Sequence, residues 1–357
     1  MTAEESTKYL NSKRRSTVFI IVFVAVIAVL AIYSLSVNNF KMSFSEAWTV
    51  VWDRICGNIP DRATDYYGWI RDYMVMEQSV PRTVASILVG VVLAVSGAVM
   101  QTITRNPLTD PYTIGISSAA MLGYCVALVY GVCVIPFIGG DAATMVNAFV
   151  FALIPSAAII FVSSFKKLSP TMMILVGIGM MYMFSSFSTF IKFNASDESL
   201  QQIYEWGIGT MSSVGWEDLL PLLAAALLVL TAFMLLSKNI NVLTAGDKVS
   251  QSLGVDPVRL RIICFLLISV AIAVVVCNTG TIGFVGLVAP HIARLFTGND
   301  NRLLIPASAT IGGMMVLLGD TLVRLLPGGL PVGVITALIG SPLFLYFLYR
   351  QRKHENF

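Results

Sequence analysis

Long apolar runs separated by short polar stretches dominate the chain. They occupy residues 17–37, 81–104, 114–133, 145–165, 171–193, 219–236, 262–277, 303–326 and 332–349. Each reaches or approaches the roughly 20 residues an α-helix needs to cross a bilayer. A further piece, 284–296, contains Gly286 and Pro290 and is too short to cross as a straight helix. Broken helices of this kind are tolerated at membrane depth where they are buried in protein or line a cavity. With this piece counted, the pattern predicts an all-α integral membrane protein of about ten transmembrane helices. They form a single domain over residues 17–350, between polar tails at 1–16 and 351–357. The second run carries Gly90, Ala94 and Ala98 at i, i+4 and i+8 with Gly97 beside them. Such a stripe lets another helix approach closely where lipid supplies no hydrophobic drive.

The polar stretches are more regular than slack loops. Residues 38–79 predict an outer segment with interfacial helices at 44–52 and 69–76, and Trp48, Trp52, Tyr66, Tyr67 and Trp69 at headgroup depth. A second outer segment covers 194–218. Residues 238–261 form a polar island between the sixth and seventh runs. Thr244 is placed to cap a short helix over 245–253, with Asp247 in its first turn, favoured by the helix dipole. Gly254 is placed to stop it, and Asp256-Pro257 to start the next helix. A short helix held between two membrane helices suits a soluble partner that pushes on it.

Charge sets the orientation. Of the 23 Lys and Arg residues, Lys41, Arg54, Arg62, Arg71, Arg82, Lys192 and Arg324 fall on one side of a ten-pass arrangement, and the other sixteen on the opposite side. The positive-inside bias then predicts both termini, and the 238–261 loop with Lys238, Lys248, Arg259 and Arg261, in the cytoplasm. Lys13-Arg14-Arg15 before the first run resembles the start of a signal peptide. That run exceeds the ~7–15 residues of a signal core, so an uncleaved span is expected.

Composition narrows the function. The 357 residues are 56% hydrophobic and only 12% charged, with a mean hydropathy of +0.80. A net charge of +3, with basic residues spread between spans, argues against nucleic-acid binding. The five cysteines form no CxxC pair, and two histidines leave little material for a metal site, so none is expected. No GxxxxGK[ST] occurs, so ATP phosphates would have to be held by another polypeptide.

Two stretches carry a specific resemblance. RTVASILVGVVLAVSGAVMQTITRNPLTDPYTIGISSAAMLG at 82–123 closely resembles the FecCD family of ABC importer permeases for iron-siderophores, haem and cobalamin. So do TIGFVGLVAPHIARLFTGNDNRLLIPASATIGG at 281–313 and LGDTLVRLLPGGLPVGVITALIGSPLF at 318–344. The resemblance runs over about 81–349 and implies a type II ABC importer permease in the cell membrane. It also implies a second permease subunit, identical or paralogous, two ABC ATPase subunits and an extracytoplasmic substrate-binding protein. The chain itself would bind no cofactor, ATP and Mg being used by the ATPases.

The resemblance also assigns residues. Ala245, Gly246, Asp247, Ser250, Leu253, Gly254 and Val255 match the ATPase-coupling loop, with Ser250 where the family usually has Ala. Arg82 and Arg324 match outer anchors for glutamates of the binding protein; Ser79 stands where the cobalamin permease has a further arginine. Asn106, Leu108, Ser169 and Thr171 match a cytoplasmic gate, and Ser185, Ser186, Ser188 and Thr189 a translocation path. Other readings stay open beside these. Arg324 can pair with Asp320 at i, i+4, and Arg82 can snorkel. The serines can be interhelical packing, the Asn-Pro turn can be structural, and His291 reads as a packing residue. From a different class, an ion-coupled transporter would need an intramembrane carboxylate, for which Asp320 is the main candidate.

Overall fold

In the computed structural model, residues 3–38, 42–165, 169–326 and 328–355 are described, and among them the regular structure is entirely helical. The expected charges at Lys41, Lys166 and Lys167 lie outside these residues, as do the side chains of Lys8, Lys13, Arg350, Arg352 and Lys353. Among the described residues, seven helical stretches are long and apolar enough to cross a membrane, and three shorter apolar helices accompany them.

The first helix, α1 (Ala3–Ser34), starts well before the apolar run. The expected separate tail is therefore largely helical, because 3–16 contains no Gly or Pro to stop propagation. Two short helices follow, α2 (Phe44–Ile55) and α3 (Tyr66–Asp72). Helix α2 begins with a full capping box, in which Ser43 and Glu46 satisfy each other's backbone amides. Trp52, Tyr66 and Tyr67 are exposed along this segment. A π-helical segment, Tyr73–Ser79, then runs without a break into α4 (Val80–Thr104).

Helix α4 is the axis of the molecule, and nearly every residue from Val89 to Thr104 is buried. A 3₁₀ turn (Pro111–Ile114) leads to α5 (Ile116–Tyr130), which pairs with α6 (Gly140–Phe165). Next come α7 (Pro170–Lys192), the short α8 (Asp197–Ile208) and α9 (Leu219–Leu243). A six-residue helix, α10 (Asp247–Ser252), connects α9 to α11 (Pro257–Thr279). The chain ends with α12 (Val285–Thr297), α13 (Asn301–Leu325) and α14 (Val332–Glu355).

The small-residue stripe of α4 does what its spacing implies. A β-carbon on Gly90 would run into the backbone of Gly312, and one on Gly97 into the carbonyl of Gly286. Helices α13 and α12 therefore meet α4 backbone to backbone at two levels. Dispersion between closely packed atoms replaces the hydrophobic drive that lipid cannot provide.

The break before α12 lies where the short apolar piece predicts it. Gly280 and Phe284 both adopt left-handed backbone, at φ 68°. Of the irregular stretch between them Ile282 is buried and Thr281 and Gly283 are half-buried, so the polar groups turned from solvent need protein partners. Thr210 donates its amide to the Thr279 carbonyl at 2.8 Å, the Thr281 hydroxyl bonds the Gly207 carbonyl, and the Gly333 amide reaches the Gly209 carbonyl at 3.1 Å. Three separate parts of the chain are thereby stitched together.

Replacing Gly97 with Val should overpack this junction and cost at least the ~1–3 kcal/mol typical of an overfilled core. Gly179, on α7, has open space around its Cα, so Gly179→Ala serves as the matched control. Thermal melts of the detergent-purified proteins should show a lower Tm, or no folded species, for the first and a wild-type Tm for the second.

Candidate functional site

Three polar constellations stand out from the apolar body. The first surrounds α10. Helix α9 continues to Leu243, so residues 238–243 belong to it and not to a loop. The Thr244 hydroxyl donates back to the Asn241 carbonyl at 2.7 Å. Thr244 thus closes α9, and the helix expected over 245–253 is shorter, with Gly246 at its N-cap and no side-chain cap. The reason is local: 237–243 contains no helix breaker, and Gly246 at φ 110° supplies the turn that no L-residue makes easily. Gly254 (φ 80°) ends α10, and Asp256 accepts the amides of Val258 and Arg259 ahead of Pro257, both as expected.

Helix α10 has two faces. Ala245, Val249, Leu253 and Gly254 are exposed, Leu253 at 64%. Ser250 is fully buried on the underside, its hydroxyl 3.0 Å from the Val242 carbonyl and 2.7 Å from that of Gly246. A small residue is required there so that α10 can lie against the end of α9. Val255 packs on the main core.

Asp247 also turns inward. It takes a two-pronged bond from Arg261, with Nη1 to Oδ2 at 2.8 Å and Nη2 to Oδ1 at 2.6 Å. Arg261 is 1% exposed and uses its Nε on the Ile103 carbonyl at 3.0 Å, one of the orphan acceptors in the last turn of α4. The guanidinium of Arg105 joins the same Asp247 carboxylate, while its Nε reaches the Leu243 carbonyl at 2.8 Å. Arg261's hydrogen bonds, followed by the charges of Arg261 and Arg105, hold the Asp247 carboxyl below its ordinary value of 3.8 against the opposing effect of partial burial. A cluster of two arginines on one carboxylate was not legible beforehand, because Arg105 and Arg261 are far apart in sequence.

The second constellation is the turn that Arg105 opens. The Asn106 side-chain oxygen accepts the Leu108 amide at 3.0 Å, and buried Thr109 accepts the Thr104 hydroxyl at 3.1 Å. Leu108 is exposed. Ser169 caps α7 by accepting the Met172 amide, and Thr171 follows in its first turn. Among the described residues no hydrogen bond joins Asn106 or Leu108 to Ser169 or Thr171. The two halves of the expected gate instead meet further along, where Ile114 of the 3₁₀ turn packs against Gly177 of α7. On α7, Ser185, Ser186 and Thr189 are exposed among Tyr182, Met183, Phe187 and Phe190. Ser188 lies on the opposite, buried face and bonds the Phe184 carbonyl at 2.9 Å.

The third constellation lies at the opposite end of α4. Asp320 is fully buried and receives Arg82 at 2.7 Å and Arg324 at 2.9 Å. Arg324, 7% exposed, also donates to the Ser34 and Val37 carbonyls at 3.0 and 3.1 Å and bonds the Ser34 hydroxyl. This triad ties α1, α4 and α13 together. His291 places Nδ1 2.9 Å from the Leu287 carbonyl and sets its ring edge-on to Phe344, which is the packing role its sequence setting implies.

These helices, with two arginines on each of two carboxylates and a clamped helix between two apolar spans, fit a multi-pass helical membrane protein. The chain matches the FecCD transport family over residues 25–350 and belongs to it. It is similar to the hemin transport system permease of Yersinia pestis, with 32% identity over 92% of this chain and 95% of that one. It shares 36% identity with the cobalamin import system permease of Halobacterium salinarum, over 81% of this chain and 75% of that one. Its fold also superposes on a structure described as an inward-facing metal-chelate type ABC transporter. There the TM-score is 0.79 and the identity 28%, covering 93% of this chain and 98% of the other. The chain is accordingly a permease of the ABC importer class.

Asp320→Asn should cost about 3–5 kcal/mol, because it leaves two poorly exposed guanidiniums without their counter-charge; a lowered Tm in detergent checks this. For Asp247 the sign follows from its lowered folded-state pKa. Its stabilisation is complete above the unfolded value and fades as pH falls through the folded one. Wild type and Asp247→Asn should therefore differ in Tm throughout the neutral range and converge only in acid below the ordinary carboxylate range.

Proposed function

We propose that this chain is the membrane-spanning subunit of an ATP-driven importer for an iron-siderophore or a related metal chelate. It would cross the cell membrane ten times with both termini in the cytoplasm, and pair with a second permease subunit around a central path. Two separate ABC ATPases, which use the ATP and Mg, would dock on α10, and an extracytoplasmic binding protein would deliver the cargo. The observation that carries this reading is the exposed apolar tip of α10, Val249 and Leu253, on a helix fixed between two spans by paired arginines. Apolar anchors on a rigid support are what a recurrent, force-bearing contact needs.

The gate reading for Asn106, Leu108, Ser169 and Thr171, and the path reading for Ser185, Ser186, Ser188 and Thr189, belong to the same proposal. So does docking of binding-protein glutamates near Arg82 and Arg324. Two arginines on one aspartate leave a net positive charge there, which supports attraction of acidic side chains. The same geometry disfavours an ion-coupled transporter, because Asp320 is already neutralised from two sides. Cobalamin, haem and molybdate are the alternative cargoes of this class of permease.

The test is uptake by vesicles containing this chain with its ATPase, supplied with loaded binding proteins while proton and sodium gradients are collapsed. ATP-dependent uptake of one chelate, abolished by Leu253→Asp, is the expected result. Uptake that needs an ion gradient and no ATPase would overturn the reading.

A further inference from the structure

The inward-facing side of α10 carries an inference that rests on the proposed ATP-driven reading and extends it. The gate turn begins at Arg105, whose backbone is left-handed at φ 51°, an unfavourable conformation for a residue with a β-carbon. The backbone closes this cap of α4 by the Asn106 amide on the Gln101 carbonyl at 3.1 Å, and the Arg105 side chain is anchored as well. It spans from the Leu243 carbonyl, the last residue of α9, to the Asp247 carboxylate, the first residue of α10. Arg261 grips that same carboxylate with both terminal nitrogens and the Ile103 carbonyl with its third. The last turn of α4 is thus fixed to α10 twice, once through each arginine, and both links converge on Asp247. The carboxylates nearest in sequence accept local backbone amides, Asp110 that of Tyr112 and Asp256 those of Val258 and Arg259, and Asp300 is held by Arg302 and Asn241.

We infer that Asp247 is the positioning residue that joins the ATPase-contact helix to the gate turn, so that movement of α10 is delivered to residues 105–109 as displacement of a rigid unit. Leu253 and Val249 receive the push, and Asp247 passes it on through Arg105 and Arg261. A two-pronged arginine–carboxylate bond fixes orientation as well as distance, so rotation of α10 is transmitted along with translation. The buried Ser250 keeps α10 close enough to α9 for the bond to form.

The test uses the complete complex with its ATPase, in a background with the five native cysteines replaced and Leu108→Cys as reporter. Thiol labelling is compared without nucleotide and after vanadate trapping. With Asp247 intact, the labelling rate should change between the two states. In Asp247→Asn that change should be lost and in Arg105→Gln, which keeps the Arg261 link, clearly reduced, while Asp247→Glu restores it at least in part. Arg105→Gln leaves the buried Arg261–Asp247 pair in place, so it decides the question if Asp247→Asn does not fold. A purely structural role would lower Tm yet leave the nucleotide-dependent change intact, and that result in either variant that folds would overturn the inference. If the protein with Asp247 intact shows no nucleotide-dependent change, the ATP-driven reading fails and the inference falls with it; that failure is distinct because it needs no substitution at Asp247.

Discussion

Backbone-to-backbone contact along α4 is the constraint on which the rest depends. In lipid, apolar side chains gain nothing by leaving their surroundings for one another, so helices cohere through close packing and interhelical polar contacts. Glycine at 90 and 97 brings α13 and α12 against α4, with Gly312 and Gly286 answering from the other side. Helices α9, α11, α12 and α13 pack directly on that axis, and each end of α4 is then secured by charge. Asp320 collects two arginines at one end and Asp247 two at the other.

The charge sets have different surroundings. Asp320 is entirely enclosed, and Arg324 reaches on from it to the Ser34 and Val37 carbonyls at the end of α1. Asp247 stands at the surface with one buried and one partly exposed arginine. The enclosed set locks three helices together. The surface set connects a small mobile-sized element to the large body, at a place where a soluble protein can reach it.

Much of this was legible in the sequence because it follows from periodicity and local chemistry. The apolar runs, the glycine stripe of α4, the break before α12, the stop at Gly254 and the start at Asp256-Pro257 all appear where the residues imply. The misreadings were also local. Thr244 looks like an N-cap, but α9 propagates through 238–243 and makes it a C-cap. The N-terminal polar stretch looks like a tail, yet contains nothing to stop a helix. What could not be read were contacts between residues distant in sequence: Arg105 and Arg261 meeting on Asp247, Arg82 joining Asp320, and Ser188 turning away from its neighbours on α7. A one-dimensional pattern gives which residues share a helix face, and leaves open which helix that face meets.

The stitched stretch around Gly280 has a consequence for biosynthesis. Its partners come from residues 207–210, 279–281 and 333, so the last of them leaves the ribosome some 120 residues after the first. Until residue 333 is in place, the Gly209 carbonyl, buried in the finished protein, lacks its amide partner. The segment that carries Gly333 therefore completes this seam, and a nascent protein that stops before it leaves the seam open.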